Sequence, residues 1–184
     1  MRISTLIRRI EDAIIRMWRH KGSRSADEIM IEKLRALGVR IGKNCLIYTT
    51  NFSTEPYLIE IGDHVAIAAG TQFVTHEPSL WLARERYPNA HLLGKIKVGN
   101  NTIIGMNCII LPNTTIGANC VVGAASVVKG VIPDNSIVYG NPARVIGKAS
   151  LLVRLLLKSK NRLDTRDMPP EERERVIKEH FHIR

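Results

Sequence analysis

The chain has 184 residues, of which 45% are hydrophobic but only 5% aromatic, and it carries a formal charge of +10. That length fits one domain with appendages, and so few rings exclude a conventional aromatic-rich core. The excess charge sits at the ends: residues 1–24 carry +5, residues 148–184 carry +4, and the body between them only +1. A body this close to neutral excludes nucleic-acid binding along its length, where a basic stripe is expected.

In chain order, residues 1–37 read as helix. Ile3, Leu6, Ile7, Ile10, Ile14, Met17 and Trp18 share one face, with Arg8, Arg9, Arg16 and Arg19 elsewhere. A break at Gly22–Ser25 precedes a second helix, with Ser25 or Asp27 near its cap and its end at Gly38. No apolar run approaches the ~18 residues of a membrane span. With charges throughout the first twenty residues, the protein is expected in the cytoplasm. The basic helical ends permit peripheral contact with an anionic membrane surface.

The body opens at Ile41 as IGKNCL and IYTTNF, loses register, and restarts at Ile61 as IGDHVA and IAAGTQ. The offset of twenty implies two residues inserted near 53–57. From Val98 the period is plain: VGNNTI, IGMNCI, ILPNTT, IGANCV, VGAASV, VKGVIP. Val98, Ile104, Ile110, Ile116, Val122 and Val128 form one column; Thr102, Cys108, Thr114, Cys120 and Ser126 form another. A period of six is neither 3.6 nor 2, so helix and ordinary strand both fail. It marks a β-helix whose coils each hold three short strands in about eighteen residues. The aliphatics face inward, and small residues fill the crowded corners. Glycine and Asn100, Asn101, Asn107, Asn113 and Asn119 sit at bends, where φ > 0 costs them little. Stacked coils lie roughly 4.8 Å apart. The two helices are then expected to cover the open end of the prism and shield its edge.

Cys108 and Cys120 fall in the small column, and an odd total of three argues for inward structural thiols over disulfides. After Ser79 the repeat gives way to SLWLARERYPNAHLLGK, ending near Lys95; a loop this long inside a compact repeat is usually functional or disordered. Beyond Pro133, DNSIVYGNPARVIGK closes the last coil. The tail then holds an apolar–basic helix over 151–160 and a second opening at 167–170, where Asp167 can cap and Pro suits the first turn.

Three stretches together, TNFSTEPYLIEIG (50–62), FVTHEP (73–78) with the excursion after it, and GNPARVIG (140–147), resemble the hexapeptide-repeat acyltransferases. The likeness is to the xenobiotic, galactoside and maltose O-acetyltransferases and their polysaccharide-modifying relatives, and it covers about 41–148. It implies an all-β core: a left-handed parallel β-helix of about five coils at 39–148, with a loop at 79–95, a helical extension at 1–38 and a helical tail at 149–184. The hand comes from the resemblance alone, since spacing does not set it. The same resemblance implies a homotrimer with active sites in clefts between copies, acetyl-CoA as acyl donor along the C-terminal coils, no metal, and a carbohydrate acceptor.

Residue by residue, the family's catalytic histidine falls on His76. An imidazole titrating near ~6.5 suits general-base work at neutral pH, with direct transfer to the acceptor and a backbone N–H for the oxyanion. A base needs an orienter, and position 58 lies one coil below residue 76, which brings Glu55 and Glu60 near; Glu55 is the choice and Glu77 the runner-up. Asn51, Tyr48, Glu77 and Trp81 are implied at the acceptor, and Ala124, Lys129, Arg144 and Lys148 at the CoA moiety. Relatives show TKDIP where this chain has KGVIP (129–133), which shifts Lys129 by one place, and Met106 occupies a site often small and polar. An amino-sugar N-acetyltransferase or a serine-type O-acetyltransferase are the neighbouring alternatives. A zinc enzyme using His64, His76 and His91, or a silent trimeric scaffold, are remoter ones.

Overall fold

Short strands, most of two or three residues and most turning an aliphatic side chain inward, stack in parallel on three faces. The structure, a computed structural model, describes residues 24–183; the expected helix bearing Ile3 to Trp18 lies outside them. One face carries Arg40–Ile41, Ile59–Ile61, Ile96–Val98, Thr114–Ile116 and Val131–Ile132. A second carries Leu46–Ile47, Ala66–Ile67, Ile103–Ile104, Val121–Val122 and Ser136–Gly140, with Ala143–Lys148 added antiparallel at its edge. The third holds Gln72–Phe73, Ile109–Ile110 and Val127–Val128. Ile47, Ile67, Phe73, Val98, Ile104, Ile110, Ile116, Val122 and Val128 are all buried in one core. Each contributes roughly 1.5–3 kcal/mol by leaving water.

Cross-coil bonds record where the repeat is regular and where it is not. Asn101 and Asn119 stack eighteen residues apart. Arg40 and Glu60 pair at twenty, reflecting the insert expected near 53–57. Asp63 and Asn100 meet at thirty-seven, because the long excursion intervenes. Ala118 and Asp134 meet at sixteen, so the last coil is two residues short. The hexad VKGVIP is therefore not a full repeat: Gly130, at φ 85°, turns the corner early and puts Ile132 beside Ile116.

Glycine and asparagine divide the corner work differently from the expectation. Asn44, His64, Asn101, Asn119 and Asn135 take positive φ at one corner of successive coils, and Asn107 and Ala125 do so at another. The column glycines instead answer to crowding. A Cβ on Gly99 would lie 2.6 Å from Ala118 N, and one on Gly105 would lie 2.6 Å from Ala124 N. Asn100 has another task, its Oδ1 accepting from Asp63 N at 2.8 Å. The small column is also more than a space filler. Thr102 Oγ1 donates to Gly117 O, Cys108 Sγ to Gly123 O and Cys120 Sγ to Pro133 O. All three cysteines are free and buried, and burial pushes their thiols up.

Helix α1 (Arg24–Ala36) carries Ser25 and Asp27 in its first turn. It stops where Gly38 turns to φ 102°; Gly38 N then donates to Arg35 O and Val39 N to Leu34 O, a Schellman end. Leu34, Ile31 and Val39 join the core, and the Arg35 guanidinium donates to the carbonyls of Ile41 (2.9 Å) and Gly42 (2.8 Å). At the other end, Asn135 Oδ1 accepts from Ser150 N in helix α2 (Ala149–Leu157), which starts two residues earlier than expected. A compact unit spans Asp27–Leu155; residues from Leu156 onward belong to another. In that second unit helix α3 (Pro170–His180) has Pro169 at its N-cap position and a proline in its first turn. Among the described residues no helix is long and apolar enough to cross a membrane.

Crowding and torsion predict opposite signs for two small changes. Gly117→Ala should destabilise by about 1–3 kcal/mol, the usual cost of overpacking. Ala125→Gly should stabilise by up to about 1 kcal/mol by relieving a left-handed alanine. Denaturant unfolding of both variants checks the pair.

Candidate active site

The third strand of the second coil ends at Phe73, and after Thr75 the chain leaves the prism. His76–Glu77 pairs antiparallel with Leu92–Leu93, and Gly94 N donates to Thr75 O at 2.7 Å, which returns the chain to the coil. The excursion thus begins at residue 76, three places before the expected 79. It contains a short 3-10 helix at Pro78–Ala83, and Arg84 Nη1 donates to Pro88 O (2.7 Å) and Ala90 O (3.3 Å).

In the first coil, the two-residue insert replaces the strand that would have continued the third face. Phe52 holds this segment to the body, stacked on Phe73 with ring centroids 4.7 Å apart. Ser53 turns at φ 57°, which carries Thr54 and Glu55 round to the end of the second coil. There Glu55 Oε2 lies 3.3 Å from His76 Nδ1 and 2.6 Å from Thr75 Oγ1, while Oε1 accepts from Thr54 Oγ1 at 2.7 Å.

The hydroxyls of Thr75 and Thr54, and then His76, hold the Glu55 carboxyl down to about 2 against burial, which opposes them. At neutral pH it is a carboxylate and only accepts. His76 Nδ1 therefore carries the proton in this pair, leaving the Nε2 lone pair for chemistry. His76 keeps 44% of its side-chain exposure and Glu55 only 18%, so the imidazole is the accessible partner. It opens on a cavity of about 460 Å³, lined among others by Glu55, Glu77, Leu80, Trp81, Arg84 and His91.

Of the expected orienters, Glu55 meets His76. Glu77 does not: its Oε1 accepts from Ser79 N and Ser79 Oγ, and these bonds chiefly lower its pKa, with a smaller part from the Lys129 charge. Glu60 lies on another face between Arg40 (3.0 Å) and Lys97 (3.4 Å). Trp81 lines the cavity, as does Glu77; Asn51 and Tyr48 do not. Asn51 binds through its backbone, its carbonyl accepting from Phe73 N. Ala124, Lys129, Arg144 and Lys148 are exposed and are not among the cavity-lining residues, although the Lys129 charge reaches Glu77, and Arg144 Nη1 donates to Ala143 O. Sequence reading missed Ser53, Thr54 and Thr75, hydroxyls that looked like ordinary turn and corner residues; it gave Arg84 no role, and it offered His91 only as a zinc ligand, not as part of the cavity lining. His64 is bound to Asn101 at a corner, and among the described residues no group of three His, Cys, Asp or Glu is placed to hold a metal.

Lowering the pH removes the stabilisation that Glu55 provides. Its folded pKa lies below its unfolded value, so the contribution is complete above about 4.5 and is lost as pH falls toward about 2. Wild type should lose unfolding free energy through that window more steeply than Glu55→Gln, and acid titration of the unfolding midpoint checks it.

Residues 87–130 match the family described as bacterial transferase hexapeptide (six repeats). Protein CapG of Staphylococcus aureus is 48% identical over 118 residues, covering 62% of this chain and 69% of that protein. A hexapeptide-repeat-containing acetyltransferase from Vibrio cholerae, solved with acetyl coenzyme A, is 36% identical with a TM-score of 0.54. That likeness covers 61% of each chain, so this chain spans less than two thirds of the Vibrio protein. Repeat, prism and kinship agree: the chain belongs to the bacterial hexapeptide-repeat transferase family.

Proposed function

We propose that this chain moves an acetyl group from acetyl-CoA to a hydroxyl of a sugar, in a surface polysaccharide or its precursor. The observation that carries the proposal is the Glu55–His76 pair, 3.3 Å apart, opening on a cavity with an exposed indole at Trp81. Kinship with an acetyltransferase solved with acetyl coenzyme A supports the donor. An indole offers a flat apolar face with a polar edge, which suits a sugar ring.

In this mechanism the carboxylate of Glu55 holds Nδ1–H, and Nε2 takes the proton of the acceptor hydroxyl. The freed oxygen attacks the thioester carbonyl, and a backbone N–H stabilises the negative charge that forms on the carbonyl oxygen. Collapse of the tetrahedral intermediate expels CoA sulfur, which takes the proton back from the imidazolium. The acetyl ester and free CoA leave, with no acyl-enzyme.

The coil is left-handed in this reading, and the working form is a homotrimer. Ile103, Val131 and Tyr139 remain exposed on the outside of the prism, an apolar surface that a neighbouring copy would cover. Acetyl-CoA lies along the C-terminal coils past Ala124, with Lys129, Arg144 and Lys148 near its phosphates.

His76→Ala should cut turnover by about 10²–10⁴-fold, the usual contribution of a general base, without changing the oligomer. A thiol-release assay with acetyl-CoA against sugars, nucleotide sugars, amino sugars and serine measures it, and full turnover in this variant sinks the assignment. Arg144→Ala should raise KM for acetyl-CoA more than it lowers kcat, since a phosphate contact is made equally in ground and transition states.

A further inference from the structure

We infer that Thr75, together with Ser53, is a positioning residue that fixes which carboxylate oxygen faces the imidazole of His76. This rests on the function proposed above, in which His76 is the base. Thr75 is fully buried, yet its hydroxyl departs from the pattern of the other inward threonines. Thr71, Thr102 and Thr114 all reach corner carbonyls, of Gly105, Gly117 and Leu111. Thr75 reaches a carboxylate instead, at 2.6 Å from Glu55 Oε2.

Donor counting fixes the direction of every bond in this cluster. Ionised Glu55 has no proton, so Thr75 must donate to it. The Thr75 oxygen, 2.7 Å from Ser53 Oγ, then accepts from the Ser53 hydroxyl. Ser53 Oγ in turn accepts from Thr75 N at 3.3 Å. With both hydroxyl protons used, nothing can donate to His76 Nδ1. It faces Glu55 Oε2 at 3.3 Å and Ser53 Oγ at 3.5 Å, two acceptors.

The geometry also removes Glu55's freedom to turn. Thr54 holds Oε1 and Thr75 holds Oε2, so both oxygens are fixed before the imidazole is considered. Of the contacts to Oε2, that from Thr75 is shorter than that from His76 by 0.7 Å. Ser53 reaches the cluster only by adopting a left-handed backbone, costly for a residue with a Cβ, and the Phe52–Phe73 stack beside it keeps that turn in place. Removing the Thr75 hydroxyl leaves Oε2 with its weaker partner alone.

The test compares Thr75→Val, Thr75→Ser and Ser53→Ala with wild type. Nitrogen-15 spectra above neutrality, where a free imidazole is uncharged, report the tautomer of His76 with no acceptor present; the spectrum of His76→Ala assigns the signal. Wild type and Thr75→Ser should show Nδ1–H, and Thr75→Val a mixture of tautomers. In the kinetic arm kcat should fall about 10- to 100-fold in Thr75→Val, as for a misplaced catalytic group, with KM for acetyl-CoA unchanged and recovery in Thr75→Ser. An unchanged tautomer in folded Thr75→Val overturns the proposal, whatever the activity of the wild type. Should Thr75→Val not fold, Thr75→Ala is held to the same tautomer outcome; Ser53→Ala, which keeps the Thr75–Glu55 bond and adds no donor, should retain Nδ1–H, and a mixture there overturns the donor count. Full turnover in His76→Ala would overturn the function instead, and leaves the tautomer result to judge Thr75 on its own.

Discussion

At the corners where Gly99, Gly105 and Gly117 sit, one coil passes so close to the next that a methyl group does not fit between them. The backbone at Gly99 and Gly105 meets the following coil within a distance that no Cβ tolerates. Just inside, a buried hydroxyl or thiol donates to a corner carbonyl of the neighbouring coil. Close approach and bonding reinforce each other, since the donor reaches its carbonyl only because the coils are tight. The result is a stiff frame whose spacing is set by backbone contact. A site hung on such a frame inherits its precision.

The site itself comes from the places where the repeat is broken. Two extra residues in the first coil remove a strand from the third face and free a turn that carries Ser53, Thr54 and Glu55 outward. A longer interruption in the second coil lifts His76 out of the prism, then ties it back through Leu93. Neither break makes the pair alone. The imidazole comes from one interruption and its carboxylate partner from the other, and the regular rungs between them fix the distance. The candidate site is concentrated in the exceptions, while the hexads supply the ruler.

That division explains what could be read from the chain. The aliphatic column, the insert near 53–57 and the long excursion were legible, because each is a statement about period. Glu55 could be named beside His76 because stacking puts residues about one coil apart together. Glu60, equally close in number, was misplaced, since the short 3-10 helix Pro56–Leu58 turns the chain onto another face before it. The roles of the column glycines were misread because sequence shows that a position must be glycine without showing whether torsion or space demands it. The shortened last coil escaped notice, since Val131 and Ile132 keep the look of a hexad after it has lost two residues. Thr75 was illegible as anything but a corner residue: its difference from Thr71 lies in what the neighbouring coil presents to it.

The guanidinium of Arg35 on the Ile41 and Gly42 carbonyls has a consequence for assembly. A stack of parallel rungs is an open template, and a bare terminal rung would accept a further rung from another molecule, as in fibril growth. Here the first rung has its carbonyls taken by a cation and its core roofed by Leu34 and Ile31. At the opposite end Ala143–Lys148 covers the last strand of one face by pairing with it antiparallel. Each end of the stack is thus partly covered by the chain itself, which works against end-to-end growth.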